Sequence, residues 1–258
     1  MKTRIAPSPT GTVHLGTLRT ALLNYLLSKA NGGTFMLRID DTDQERNRQE
    51  WIDFIYSEME KFGLVWDESF KQSERLDRYR EMAQKIGTEK DGRIVVNIVE
   101  SETYEMTILR ENGFPTYNFA SILDDYDTDM THIVRGVDHI ANLPKQEWIF
   151  GLINHAENTH KEFPTVIHAG LLFEGNAKLS KRTGNGTTED FKEYSNLALL
   201  NWLFRLGWSH PDPNFDKTHK TLTVEQMIEV FNEGKITKNN CKINLEKLIW
   251  LNKRLKNG

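Results

Sequence analysis

Residues 2–39 read KTRIAPSPTGTVHLGTLRTALLNYLLSKANGGTFMLRI, and the change of rhythm inside this stretch decides the fold. TRIA (3–6) reads as a short strand, and Pro-Ser-Pro-Thr-Gly (7–11) forces a turn. Leu15, Leu18, Leu22, Tyr25 and Leu26 then recur at helical spacing until Gly32 and Gly33 stop the run. TFMLRI (34–39) reads as a second strand, and Ile52, Ile55, Met59 and Phe62 mark a second helix. Strand–helix–strand–helix predicts a parallel, helix-covered sheet, with ligands beyond the carboxyl ends of its strands.

Outward from this stretch the texture changes twice. RIVVNIV (93–99) and YEMTILR (104–110) are β-rich and flank a charged link, which predicts a hairpin inserted between two halves. After Pro115 the α/β alternation returns, with MTHIVRG (130–136) as a strand and Trp148, Ile149, Leu152 and Ile153 on a helix. From about Asn185 onward the pattern is helical, through Leu197, Leu200, Leu203 and Phe204, then Val224, Met227, Ile228 and Phe231, then Leu245, Leu248 and Leu255. The expected class is α/β, a Rossmann-type doubly wound parallel sheet with a short inserted β-rich segment and a C-terminal helical domain. The expected divisions are 1–86 and 114–184 for the two halves of the sheet, 87–113 for the insertion and 185–258 for the helical domain.

At 258 residues the chain can bury a real core. Cys241 is its one cysteine, so neither an intramolecular disulfide nor a Cys-rich zinc module is available. MKTRIAPSP lacks the apolar core of a signal peptide, and no stretch approaches the roughly 18 apolar residues of a membrane span. A cytoplasmic protein without membrane contact is expected. The net charge of −4 exerts no global pull on nucleic acid. Residues 235–258 nevertheless carry seven Lys/Arg against Glu246, as a solvated helix face or an RNA-contacting one.

Four stretches could carry chemistry. His14 and Gly16 stand at the mouth of the first helix, whose leading N–H groups favour an anion; a phosphate suits them, although a histidine that only caps the helix fits as well. KLSKR (178–182) brackets Ser180 with Lys178 and Lys181, which suits a charged leaving group as well as it suits an ordinary basic loop. RIDDTDQER (38–46) puts carboxylates at a strand end, where they could hold an ammonium, bind Mg²⁺ or cap the next helix through Thr42 or Asp43. DDYDTD (124–129) does not match a calcium loop and reads as a solvated turn. Tyr117 and Arg135, from FPTYNFA and IVRGVDH, could share a pocket; singly they read as a core residue and a surface ion pair.

Taken together and in this order, the stretches resemble class I aminoacyl-tRNA synthetases, and among them the glutamyl-tRNA synthetases. APSPTGTVHLGTLRTALLNYLL is similar to the family's first signature, with HLGT (14–17) at its His-Ile-Gly-His box. LRIDDTDQER, QSERLDRYRE (72–81), PTYNFA, HIVRGVDHIANLPKQ (132–146), KLSKR, LLNWLFRLGWSHP (199–211) and INLEKLIWLN (243–252) follow in the family's order. The resemblance implies ATP with Mg²⁺ as co-substrate and transfer of an activated glutamyl group to a tRNA or tRNA-like acceptor; with Cys241 alone, no zinc is expected. It implies that His14, Gly16, Lys178, Ser180 and Lys181 bind ATP, with His14 and Lys181 acting in catalysis. It also implies that Arg4, Ser8, Asp40, Tyr117 and Arg135 receive glutamate, Arg135 favouring it over glutamine.

The chain departs from the family in places. Asp40 stands where the glutamyl enzymes usually have Glu, and Val137 replaces an acidic residue. The insertion between the two halves is far shorter than usual. Family members continue past the helical region into an anticodon-binding domain, which residues 1–258 do not include, so an anticodon-binding partner on a separate chain is among the expectations. Two other readings stay open: glutamyl transfer to a modified tRNA base (queuosine) or another acceptor, and a non-enzymatic descendant that binds RNA or protein.

Overall fold

Strand β1 (Lys2–Ile5) pairs in parallel with β2 (Thr34–Ile39), Lys2 opposite Thr34 and Ile5 opposite Leu37, and helix α1 (Leu15–Lys29) makes the crossover. The structure, a computed structural model, describes residues 1–99, 103–179 and 186–256. Helix α2 (Gln49–Lys61) leads to β3 (Glu68–Lys71), parallel to β2 on its far side. Helix α3 (Leu76–Ile86) then leaves the sheet for an antiparallel insert of β4 (Thr88–Lys90), β5 (Arg93–Val99) and β6 (Thr103–Leu109). The chain returns through α4 (Tyr117–Asp127), β7 (His132–Gly136), α5 (Leu143–Ala156) and β8 (Thr165–Ala169), with β7 and β8 again parallel. This is the expected α/β class.

The two halves meet between β1 and β7. Their lower ends are tied by Thr131 N–H donating to the Lys2 carbonyl at 3.1 Å. Higher up, a side chain of α1 takes over from strand pairing. Asn24 donates Nδ2–H to the Val134 carbonyl (2.8 Å) and accepts the Val134 N–H (2.9 Å), while Thr3 Oγ1–H donates to Asn24's own carbonyl (2.8 Å). One amide thus satisfies the β7 backbone groups that β1 does not pair, as buried polar groups require. From this line the succession of strands proceeds outward to opposite sides, β1-β2-β3 to one and β7-β8 to the other, which is the switch point where open α/β sheets bind ligands.

Among the described residues two large apolar clusters flank the sheet, and a small third one joins Met36, Met130 and Ile133. On one side the insert packs Val96, Ile98 and Ile108 against Tyr79 and Met82 of α3, Phe119 and Ile122 of α4, and Ile149 and Ile153 of α5. On the other side, α1 is apolar nearly all round and is buried between the sheet and the C-terminal helices. Those are α6 (Asn196–Arg205), the one-turn α7 (Phe215–Thr218), α8 (Val224–Phe231) and α9 (Leu245–Lys256). Leu22 and Leu26 share one cluster with Leu203, Phe204, Met227, Phe231 and Leu248. The helical region therefore continues the core of the first half instead of building its own. Short strands β9 (Leu172–Glu174), β10 (Ala177–Lys178), β11 (Trp208–Ser209), β12 (Lys235–Ile236) and β13 (Cys241–Lys242) stitch it down, β13 running parallel to β9. Gly170 is needed where these segments cross, because a Cβ there would run into the Asn239 carbonyl. On the basic α9, Lys247 and Arg254 lie over the ring of Trp250, at 4.6 and 5.8 Å from its centre. Among the described residues no helix is long and apolar enough to cross a membrane.

Candidate active site

Two clefts open along the carboxyl ends of the strands. The first, of about 210 Å³, is lined by His14, Gly16, Gly136, Asp138, His139 and Lys178 among others. The second, of about 480 Å³, is lined by Ser8, Asp40, Arg46, Gln72, Arg110 and Tyr117 among others. The turn after β1 is pinned against the end of β2 by Asp40 N–H donating to the Pro7 carbonyl at 3.0 Å, which brings Ser8 and Asp40 together.

His14 is the N-cap of α1. Its Nδ1 accepts the Gly16 N–H at 3.0 Å, so its Nε2 carries the proton and faces the Leu179 carbonyl at 3.1 Å. The two readings of this histidine, cap and phosphate neighbour, therefore coincide in one side chain at the wall of the first cleft. A Cβ on Gly16 would lie 3.1 Å from His14 Nδ1. Lys178 reaches the same cleft from β10 and pairs with Asp138 at 3.0 Å. Ser180 and Lys181 lie outside the described residues.

Below the second cleft sits a buried network of arginines and carboxylates. Arg4 gives Nε and Nη2 to the two oxygens of Asp125, at 2.8 and 2.7 Å. Arg38 gives Nε and Nη2 to Asp40 (2.6 and 3.2 Å) and Nη1 to Asp125 (3.1 Å). Ser121 Oγ accepts from Arg38 at 3.2 Å and from Arg4 at 3.4 Å. Burial pushes the Asp40 carboxyl up, against the pull of Arg38 and Arg4. Burial also pushes Asp125 up, but Arg4, with Arg38 and Arg135 behind it, outweighs that and holds it below the usual carboxylate range. Asp124 is pushed up to about 6 by burial, opposed by Arg38, Gln72 and Arg75.

Arg135, at the end of β7, is held differently. Its Nη1 donates to Gln146 Oε1 at 2.6 Å and its Nε to His168 Nε2 at 3.3 Å. Its Nη2 is buried and has no hydrogen-bond partner among the described residues. Gly136 and His139 after it line the first cleft, and Tyr117, close to its guanidinium, lines the second. Tyr117 is 41% exposed, and its hydroxyl sits 3.1 Å from His139 Nδ1. Burial raises the Tyr117 phenol, with Arg4, Asp40 and Arg135 all acting on it. Arg4, Asp40, Tyr117 and Arg135 thus gather at one place, beside Ser8.

Three readings from the sequence need correction. DDYDTD is no solvated turn: Asp124 and Asp125 lie on α4, almost wholly buried, where they hold arginines. Arg135 is not a surface ion pair but a buried cation. Neither Thr42 nor Asp43 caps α2, whose N-cap is Arg48; Asp43 instead pairs with Arg46. Reading the sequence also missed Arg38, Ser121, Gln146 and His168. The signal for part of this lay in α4, where Tyr117, Ser121, Asp124 and Asp125 recur at helical spacing as a polar stripe beside Phe119, Ile122 and Leu123.

Residues 1–92 and 88–250 match the sequence model of one family, the catalytic domain of the class I tRNA synthetases for E and Q. The chain belongs to this family. It is a class I synthetase catalytic domain, and so a ligase that uses ATP. Among solved structures it is similar to a glutamate tRNA ligase from Elizabethkingia meningosepticum, with a TM-score of 0.79 and 24% identity over 99% of this chain and 69% of that one. The glutamate-tRNA synthetase of Elizabethkingia anophelis compares in the same way, with a TM-score of 0.78 and 24% identity over 99% and 70%. At that identity the two structures establish the synthetase fold.

Proposed function

We propose that the chain activates glutamate with ATP, giving glutamyl-adenylate and pyrophosphate, and passes the glutamyl group to a tRNA or tRNA-like acceptor. The observation that carries this reading is Arg135, a buried guanidinium whose contacts with Gln146, His168 and the nearby Tyr117 phenol are all with neutral groups and whose Nη2 has no hydrogen-bond partner among the described residues. A side-chain carboxylate would supply the missing charge and acceptor; glutamine's neutral amide would leave the cation buried and uncompensated. Arg4, Ser8 and Tyr117 would complete the cradle, with Asp40 receiving the substrate ammonium alongside Arg38. The E. meningosepticum ligase of the same fold was solved in complex with its amino acid, which is consistent with a site of this kind.

In this reading one oxygen of the α-carboxylate bonds to the α-phosphorus as the bond to the bridging oxygen of pyrophosphate breaks. Positioning and charge stabilisation supply most of the rate. Since the Leu15 and Gly16 N–H groups already donate to the Gly186 carbonyl and to His14 Nδ1, the positive end of α1 as a whole, with the Thr17 N–H, would face the phosphates, and Gly16 would leave clearance for the nucleotide. Lys178, with Ser180 and Lys181, would neutralise the departing pyrophosphate. Mg²⁺ would come with ATP, held by phosphate oxygens and water.

The test is ATP–pyrophosphate exchange with glutamate or glutamine, with and without tRNA. Exchange that depends on glutamate is expected, and exchange with neither amino acid under any of these conditions overturns the reading. Periodate-oxidised tRNA then identifies the acceptor: a terminal-ribose charger fails on it.

A further inference from the structure

The arginines of the site are anchored in two chemically distinct ways. Arg4 and Arg38 each face carboxylates and are neutralised where they stand. Arg135 is anchored by an amide oxygen and an imidazole, and all three residues are nearly inaccessible: Arg135 is 7% exposed, Gln146 2% and His168 4%. Because an arginine Nε always carries a hydrogen, His168 Nε2 must present its lone pair, so the ring is neutral with its proton on Nδ1. Burial, with Arg135, Lys238 and His139 nearby, lowers the His168 pKa and keeps the ring in that form. The carboxylate that does act on Arg135 is Asp125, whose oxygens are already committed to Arg4 and Arg38.

We propose that Gln146 is a specificity-determining positioning residue: it fixes Arg135 through a neutral acceptor, so that the guanidinium keeps its charge for an anionic substrate side chain. The inference rests on the glutamate reading and deepens it. Gln146 lies on α5 and lines neither cleft described above, so it acts through Arg135. Glutamate is the near-isosteric replacement that adds a charge at the same 2.6 Å contact. It would neutralise Arg135 and place a second negative charge behind it, repelling a carboxylate substrate and removing the penalty against an amide.

The test compares exchange supported by glutamate and by glutamine in the wild type, Gln146→Glu and Gln146→Met. Gln146→Glu is expected to lower the glutamate-to-glutamine ratio of kcat/KM by ~100-fold or more, with the ATP KM within ~3-fold. Gln146→Met removes the acceptor without adding charge; it should lower activity with both amino acids and move the ratio by less than ~10-fold. A purely structural role would make the two variants alike, and an unchanged ratio in Gln146→Glu overturns the proposal. Should Gln146→Glu fail to fold, His168→Glu delivers a carboxylate from the other side of Arg135 and must lower the ratio in the same way, and a retained ratio again overturns it. Failure of the glutamate reading itself shows separately, as a wild type without glutamate-dependent exchange.

Discussion

Asp125 grips Arg4 with both carboxylate oxygens, at 2.8 and 2.7 Å, and lends one of them to Arg38 at 3.1 Å. The consequence is mechanical as well as electrostatic. A fork-to-fork pair fixes the plane of the Arg4 guanidinium, so its remaining donors hold a set direction at the floor of the site.

Asp125→Asn should therefore cost about 3–5 kcal/mol of unfolding free energy at pH 7, because it leaves two buried guanidinium groups short of one charge. Urea denaturation measures this. Asp125's folded pKa lies below its unfolded value, so its contribution is present above the ordinary carboxylate pKa of about 3.9 and is lost as pH falls through the lower folded value. The gap between variant and wild type should hold from pH 8 to 5 and narrow only below about pH 4. A gap that already closes at pH 6 would contradict the pairing.

Asn24 bridges β1 and β7 with both ends of its amide. Asn24→Leu leaves the Val134 N–H and carbonyl buried without partners, at a cost of about 2–5 kcal/mol. Since β7 carries Arg135, exchange activity should fall along with stability in denaturant. A variant as stable as the wild type would mean that the strands close the gap themselves.

Gly16 lies in the first turn of α1, and an alanine there would meet His14 Nδ1 at 3.1 Å. Helix propensity favours the alanine by up to about 1 kcal/mol, so folding stability should change little. The displaced imidazole and the methyl group should instead raise the ATP KM by ~10-fold or more. Glutamate KM should stay within ~3-fold. A rise confined to glutamate would relocate the nucleotide.

The sequence conveyed the sheet better than the site. Leu15, Leu18 and Leu22 announce a helix through their period, and TFMLRI announces a strand, because burial of one face imposes a rhythm on the residues themselves. The buried charges impose none that a local reading detects. Asp124 and Asp125 look like a solvated acid run until α4 is wound and the sheet brings Arg4 and Arg38 against it from more than 80 positions away. Arg135 and Gln146 are close in sequence, yet nothing local indicates that one holds the other. The helices of the C-terminal region are legible in their apolar periodicity; what no local pattern conveys is that α1 offers them a second apolar face, so that one cluster runs through both.

The central claim is that the uncompensated charge of Arg135 selects an anionic amino-acid side chain. The most direct test is the ratio of glutamate- to glutamine-supported ATP–pyrophosphate exchange in the wild type and in Arg135→Ala. The account predicts a wild-type preference for glutamate of at least ~100-fold, falling to within ~10-fold in the variant while ATP KM moves less than ~5-fold. A wild type that prefers glutamine, or an Arg135→Ala enzyme that keeps its preference for glutamate, would contradict it.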